Sequence, residues 1–391
     1  MRFIQSTLLL ACWLPVSSFA FLASGIPTRA LDATQLQMSL QTKKPGTAKL
    51  DVPWGELGFE FRPTNSHVRV TYKEGEGWGK PEMVKEPYIQ LHIGATALHY
   101  GQACFEGLKA FCHEDGTVNI FRPDENAKRM QASCDRIRMA KMPTDLFIDA
   151  VKAVVNDNIE YVPPYGSGGA LYIRPILFGS GPRIGLQPAD EYTFVCLVIP
   201  VGDYYKGGLA SPVKGLLITD FDRAAPRGVG AAKVAGNYAA DLLPNMLSKK
   251  QGFPIGLYLD AKTQTKIEEF STSNFVGIKH ATNSYVTPKS PSVLPSITNK
   301  ALMQLAEEEG MKVEQRDIDI EELDEFDEVL AVGTAVVVTP VGSITRLDGD
   351  DIKQYKFGEG EIGPVTRKLY DKVRAIQNGE VEDKYGWNVK L

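Results

Sequence analysis

The chain reads as a mixed α/β protein built in two halves, and three observations carry that expectation. Its 391 residues are enough for about two domains with sizeable cores. Segments of period-two alternation are interspersed with segments of helical period along most of its length. A glycine-bearing stretch, Gly202-Asp-Tyr-Tyr-Lys-Gly-Gly-Leu-Ala-Ser-Pro212, parts the two halves as a candidate interdomain linker. Hydrophobic and charged residues, at 43% and 23%, are in the balance of an ordinary soluble globular chain. A net charge of −5 leaves no basic footprint for a nucleic-acid partner.

The first fifty residues are set aside from the fold. Arg2 precedes the apolar run Leu8 to Val16, and Ser18-Phe19-Ala20 places small residues at −3 and −1 of a signal-peptidase site. The run is too short to span a bilayer, so no membrane partner is expected of the mature form. From Phe21 to Leu50 the bases Arg29, Lys43, Lys44 and Lys49 face one acid, Asp32, which is transit-peptide composition. Signal followed by transit segment, with phenylalanine first after the cut, resembles the bipartite presequence of plastids acquired by secondary endosymbiosis. That implies a plastid protein, with secretion or a mitochondrion as alternatives. The five cysteines, Cys12, Cys104, Cys112, Cys134 and Cys196, make neither a C-x-x-C pair nor a metal-ligand spacing with histidine. They suggest buried thiols in a reduced compartment and no metal site.

The first folded half is expected over 51–201. Val68-Arg-Val-Thr-Tyr72 alternates as a strand. Residues 98–111 start as a helix and end as a strand, with Gly107 at a turn between them. Val118 to Arg122 is a short strand, and Pro123-Asp124 then opens a helix over Glu125–Met139 with Ala127, Met130 and Cys134 on one face. Gly169 to Phe178 alternates again and puts Tyr172 and Arg174 on one side of a strand. The arginine is either paired structurally or held to clamp a carboxylate. Tyr192 to Val201 is an apolar strand. The loop Gly179 to Gly185 lacks the spacing of a dinucleotide site.

The second half, 213–391, carries strands at 213–220, 255–260 and 275–279. A helix from Thr298 stops at Gly310, and another opens at Gly363-Pro364 and runs to about Gln377. Within this half lies Gly228 to Ala240, G-V-G-A-A-K-V-A-G-N-Y-A-A, where Lys233 sits among residues too small to be there for core packing. A lysine held where its charge is poorly solvated tends toward the free amine, a nucleophile for carbonyls such as the aldehyde of pyridoxal 5′-phosphate. Taken alone, Lys233 reads more readily as one more solvated lysine among many.

Taken in order, L-H-Y-G and F-E-G-L-K-A-F at 98–111, F-R-P at 121–123, L-Y-I-R-P at 171–175, P-V-G-x-Y at 200–204, A-G-N-Y-A at 235–239, E-F-S-T-S-N-F at 269–275 and G-T-A at 333–335 resemble the branched-chain amino acid aminotransferases. The resemblance runs from about Trp54 to the C-terminal helix. It implies the two-domain fold-type-IV architecture, pyridoxal 5′-phosphate as cofactor, amino acid and 2-oxo acid as substrates, and a homodimer.

The resemblance also implies roles. Lys233 is the catalytic lysine that the cofactor's aldehyde joins, Glu269 the carboxylate facing the pyridine nitrogen, and Tyr238 the phenol beside the ring oxygen. Glu268 would point to the opposite face, as a surface charge. Arg122, Thr272, Thr334 and the amides of Ile297 and Thr298 would hold the phosphate. Leu294-Pro295-Ser296 has serine where the family usually has glycine. Tyr100, Phe105, Tyr172, Arg174 and the backbone of Ala335 would meet substrate. Val336 and Thr339 stand where mammalian relatives carry a C-x-x-C redox pair, so thiol regulation at that place is not expected. The implied reaction exchanges the amino group of L-leucine, L-isoleucine or L-valine with 2-oxoglutarate, in the biosynthetic direction if the protein is plastidic. A D-amino acid aminotransferase and an aminodeoxychorismate lyase share the fold, but the chain length, L-Y-I-R-P and F-E-G-L-K-A-F disfavour both. A cofactor-binding protein without turnover would have no need of the Lys233–Glu269 pair.

Overall fold

Alternating segments of the N-terminal half assemble into an antiparallel sheet. We describe it from a computed structural model covering residues 43–202, 204, 209, 211–349 and 351–391. The expected signal segment, the expected transit segment as far as residue 42, Cys12 and most of the 202–212 stretch lie outside the described residues. The sheet contains β1 (His67–Lys73), β2 (Gly77–Trp78), β3 (Glu82–Val84), β4 (Ala103–Phe105), β5 (Leu108–Cys112), β6 (Val118–Phe121), β7 (Ala170–Gly179) and β8 (Glu191–Val201). Its order is β6-β5-β7-β8-β1-β2, with β3 beside β1 and β4 beside β7. The longest pairing, β7 with β8, runs from Ala170↔Val201 to Gly179↔Tyr192 and puts alternate residues of both strands on one face.

Three helices accompany this sheet: α1 (Thr96–Tyr100), α2 (Pro123–Arg136) and α3 (Thr144–Asp157). Proline suits the first turn of α2 because the amide it lacks would have no intrahelical partner there. The helix stops at Arg136, short of the expected Met139, because Arg138 turns left-handed at φ 54°. Ala127, Met130 and Cys134 of α2 join Phe147, Val151 and Val154 of α3 in a core against Val70, Leu171 and Phe194. Truncating a fully buried phenylalanine such as Phe147 to alanine costs about 3–5 kcal/mol.

The second sheet is mixed. It contains β9 (Val213–Ile218), β10 (Ile255–Leu259), β11 (Ile267–Phe270), β12 (Asn274–Lys279), β13 (Ser284–Pro288), β14 (Lys312–Arg316), β15 (Glu328–Gly333), β16 (Val337–Asp348) and β17 (Asp351–Lys356). The order is β11-β10-β9-β16-β15-β12-β13-β14, with β17 on β16. Because β11 also pairs with β12, the six strands from β11 to β12 close into a ring without free edges. Leu217, Leu257, Phe270, Phe275 and Ile344 pack together in the core of this sheet. Its helices are α4 (Ala235–Ala240), α5 (Leu242–Lys250), α6 (Ile297–Glu308) and α7 (Pro364–Gln377). Leu302 and Leu305 of α6 and Leu369 and Val373 of α7 pack with Val276, Leu330 and Val332 of the strands. The Glu328 carboxylate caps α7, accepting from the amides of Val365 at 3.0 Å and Thr366 at 2.7 Å.

The chain's end returns to the first sheet as β18 (Asn388–Lys390), which lies antiparallel to β6. Residues 43–50 are likewise bound to the body: the amides of Gly46 and Ala48 donate to the carbonyls of Val162 and Glu160 at 2.8 and 3.0 Å. The architecture is mixed α/β, as expected.

Candidate active site

Lys233 is positioned by its own backbone. Its amide donates to Ser133 Oγ of α2 at 2.9 Å, and its carbonyl accepts from the Phe105 amide at the end of β4 at 3.1 Å. The next residue, Val234, bridges to Cys104 and is the N-cap of α4, so the lysine is fixed between a β-bridge and a helix start. Its ammonium nitrogen donates to Tyr238 Oη at 2.7 Å, one helical turn on, and stands 4.7 Å from the Phe105 ring centre. It faces a cavity of about 610 Å³ lined by residues of both sheets.

Glu269 enters this cavity at the point where the ring of strands closes. Register puts it opposite Asn274 across the tight turn Phe270-Ser271-Thr272-Ser273. Asn274 Nδ2 donates to Glu269 Oε2 at 2.7 Å, while Oε1 accepts from the Leu294 amide at 3.0 Å and faces Arg223 Nη2 at 2.7 Å. Burial pushes the carboxyl's pKa up, and Arg223 leads the groups that pull it back. Glu268 is buried as well, which corrects the expectation of a surface charge. Ser290 Oγ donates to its Oε1 at 2.8 Å, and burial pushes this carboxyl up also.

Arg129 of α2 lines the same cavity. The Glu106 carboxylate grips it in two places, Nε to Oε1 at 2.9 Å and Nη2 to Oε2 at 2.7 Å, and Nη1 donates to the Pro295 carbonyl at 2.9 Å. Beside it Ser296 Oγ caps α6 by accepting from the Asn299 amide at 3.2 Å. The serine found in place of the usual glycine is thus the helix cap. The first-turn amides of Ile297 and Thr298 have no intrahelical partner by geometry. They border a small adjoining space of about 20 Å³, and Thr334 lines both it and the main cavity.

The opposite wall is aromatic. Phe59 meets Tyr172 edge-on at 4.8 Å and Tyr204 at 5.2 Å. The Arg174 guanidinium lies 4.8 Å from the Phe105 ring centre and 5.2 Å from that of Tyr172, and its Nη2 donates to Tyr172 Oη at 2.9 Å. Its Nε is buried with no hydrogen-bond partner, so this cation retains unused donor capacity. The close approach of Gly107 is required here, because a Cβ would fall on the Tyr172 hydroxyl.

A family model described as Amino-transferase class IV matches residues 103–344. The branched-chain-amino-acid aminotransferase of Haemophilus influenzae is 47% identical over 348 residues, 87% of this chain and 99% of that protein. The chain belongs to the class IV aminotransferases. Branched-chain amino acid aminotransferase 2, chloroplastic, of Humulus lupulus is 42% identical over 342 residues, 87% of this chain and 82% of the other. The crystal structure of the Escherichia coli branched-chain amino acid aminotransferase superposes with a TM-score of 0.69 at 29% identity, covering 82% of this chain and 98% of that one.

Of the residues expected to serve this aminotransferase, Lys233, Tyr238, Glu269, Thr272, Thr334, Ala335, Phe105, Tyr172 and Arg174 line one cavity. Two do not. Arg122 is a correction of placement: it adopts a left-handed conformation at φ 50° immediately before Pro123, and its guanidinium lies over the Trp387 ring at 5.0 Å. The guanidinium beside the start of α6 is that of Arg129, two helical turns further on. Tyr100 lies at the C-terminal end of α1, 43% exposed, and its hydroxyl donates to the Ile184 carbonyl outside the cavity. Sequence reasoning missed Arg129, Arg223, Asn274 and Ser296. For Arg129 a signal existed, since Asn126, Arg129 and Ser133 form a polar stripe at helical spacing beside the buried Ala127, Met130 and Cys134.

Proposed function

We propose that the protein is a branched-chain amino acid aminotransferase that uses pyridoxal 5′-phosphate to exchange the amino group between L-leucine, L-isoleucine or L-valine and 2-oxoglutarate. The observation that carries this reading is the meeting of an amine, a buried carboxylate and an anion site in one cavity: Lys233, Glu269, and Arg129 beside the start of α6.

The residues fit the cofactor. A carboxylate has about four acceptor sites, and Glu269 fills three of them with Arg223, Leu294 and Asn274, leaving one on Oε2 for a ring N–H. Arg129, the Thr272 and Thr334 hydroxyls and the Ile297 and Thr298 amides would hold the phosphate. When bound, the cofactor supplies an aldehyde for the amino group and a conjugated ring that takes up electrons released at the substrate α-carbon. Lys233 Nζ would take the proton from that carbon, and its backbone bonds to Ser133 and Phe105 hold it in place for the task. Tyr238 would orient the amine and the cofactor's ring oxygen.

Phe59, Phe105, Tyr172, Ile176 and Leu197 give the apolar wall a branched side chain needs. Arg174, with donor capacity to spare, would pair with the distal carboxylate of glutamate, and the Ala335 amide with the α-carboxylate. We also read the two sheets as two domains divided within 202–212, and the chain as a homodimer. Leu242, Leu243, Met246, Leu98, Ile184 and Leu186 are exposed apolar residues that association would cover. Tyr100 lies outside its own cavity, so a substrate role for it would be exercised in the assembly. We place the protein in the plastid and its reaction in the biosynthetic direction. The supports are the composition of residues 1–50 and the chloroplastic relative. Residues 43–50, which supply three of the four bases of the transit composition, are bonded to the body, and this favours a cut before Lys43 over the expected one at residue 50.

Purified protein given L-leucine and 2-oxoglutarate should yield L-glutamate and 4-methyl-2-oxopentanoate in equal amounts. Turnover of D-alanine or aminodeoxychorismate without turnover of leucine would overturn the reading. A fluorescent fusion to residues 1–50 should reach the plastid, and mitochondrial signal would sink that part alone.

A further inference from the structure

Arg223 precedes the Lys233 turn in the unremarkable run F-D-R-A-A-P, yet its side chain is committed to the site. Its Nη2 stands 2.7 Å from Glu269 Oε1, with the two side chains 8% and 5% exposed. The same nitrogen donates to the Ser292 carbonyl. Space is left for it: a Cβ on Gly230 would fall on Ser292 O and come within 2.9 Å of Arg223 Nη2. Arg223 also acts at longer range on Glu268 and Asp241, but its contact is with Glu269.

We propose that Arg223 is a positioning residue of the reaction, holding Glu269 as an ionised carboxylate with one acceptor site turned to the cofactor's ring nitrogen. This rests on the reading of Glu269 as that nitrogen's partner. A proton shared between two bases goes to the stronger one. A carboxylate buried alone is the stronger base of the two and keeps the proton, offering the ring only a neutral hydrogen bond. A guanidinium bound to the far oxygen weakens the carboxylate as a base, so the proton stays on the ring nitrogen. Arg223 acts through Glu269 and does not itself touch the ring.

The test loads the holoprotein with pyridoxal 5′-phosphate labelled with 15N in the ring and reads the 15N shift. Glu269→Gln should move the shift toward the unprotonated value. Arg223→Met should move it the same way, and Arg223→Lys, which keeps the charge, should stay near wild type. A wild-type shift in Arg223→Met beside a moved shift in Glu269→Gln overturns the proposal and leaves the reading of Glu269 standing. An unmoved shift in Glu269→Gln overturns both. Arg223→Met strands a buried carboxylate and can fail to fold. The double variant Arg223→Met/Glu269→Gln, measured by urea unfolding, should then be more stable than Arg223→Met. A double variant no more stable than that single one overturns the proposal.

Discussion

Replacing Arg129 by methionine should strip the cofactor from the protein and weaken the fold, whereas Arg122→Met should do neither to a comparable degree. Arg129 is 10% exposed and its partner Glu106 wholly buried. Without the guanidinium, Glu106 still accepts from Asn126 Nδ2 at 2.8 Å and the Gly107 amide at 3.3 Å, two neutral donors. Removing one partner of a buried pair costs about 3–5 kcal/mol. Each lost charge-assisted bond to phosphate is worth about 1.5–3 kcal/mol, or roughly 10- to 150-fold in affinity. Arg122 loses much less: a cation–π contact worth about 0.5–2 kcal/mol and a bond to the Ile297 carbonyl stretched to 3.5 Å. Equilibrium dialysis against pyridoxal 5′-phosphate measures the first effect, and urea unfolding of the apoprotein the second. The double variant Arg129→Met/Glu106→Gln separates them, recovering stability while cofactor affinity stays low. Loss of cofactor in Arg122→Met with retention in Arg129→Met would instead make Arg122 the phosphate's arginine.

Three further outcomes are expected. Lys233→Ala should leave borohydride unable to fix cofactor to the chain, and continued covalent labelling would place the nucleophile elsewhere. Ser296→Ala removes the α6 cap and should cost about 1 kcal/mol in urea unfolding, while Ser296→Gly should cost only a few tenths; equal losses would contradict the cap. Glu125 is held at about 2, below its ordinary 4.5, because although burial pushes it up, the ammonium groups of Lys128 and Lys300 outweigh that push. A depressed carboxyl stabilises the fold above its unfolded pKa and loses that contribution as pH falls through the folded one. The stability gap between wild type and Lys300→Met should therefore be full at about pH 6 and close between roughly pH 4.5 and 2. A gap unchanged at low pH would contradict the ion pair.

Local pattern carried far in this chain. Period two placed Tyr172 and Arg174 on one face of β7, where Arg174 Nη2 does meet Tyr172 Oη, and proline placed the start of α7 at Pro364. Closure of the strand ring was not legible, because alternation says which way a side chain faces and not which strand lies alongside. The pair Glu269↔Asn274 is a local turn, but the ring it closes depends on the parallel pairings of β9 with β10 and with β16, strands distant in sequence. The same limit hid Glu268. Alternation sent it to the other face correctly, but that face is covered too. Arg122 and Arg129 show a different failure. One left-handed residue at the strand end turns Arg122 onto Trp387, and the phase of α2 then delivers Arg129 to the cavity. Arg223 had no signal in its own neighbourhood, since its partner is brought to it only by the fold.

A single half-reaction decides whether the protein takes the amino group from leucine. Holoprotein mixed with L-leucine, with no 2-oxo acid present, should release about one equivalent of 4-methyl-2-oxopentanoate per chain and keep the amino group on the bound cofactor. Release of nothing from L-leucine, with pyruvate released from D-alanine under the same conditions, would make the protein a D-amino acid aminotransferase instead.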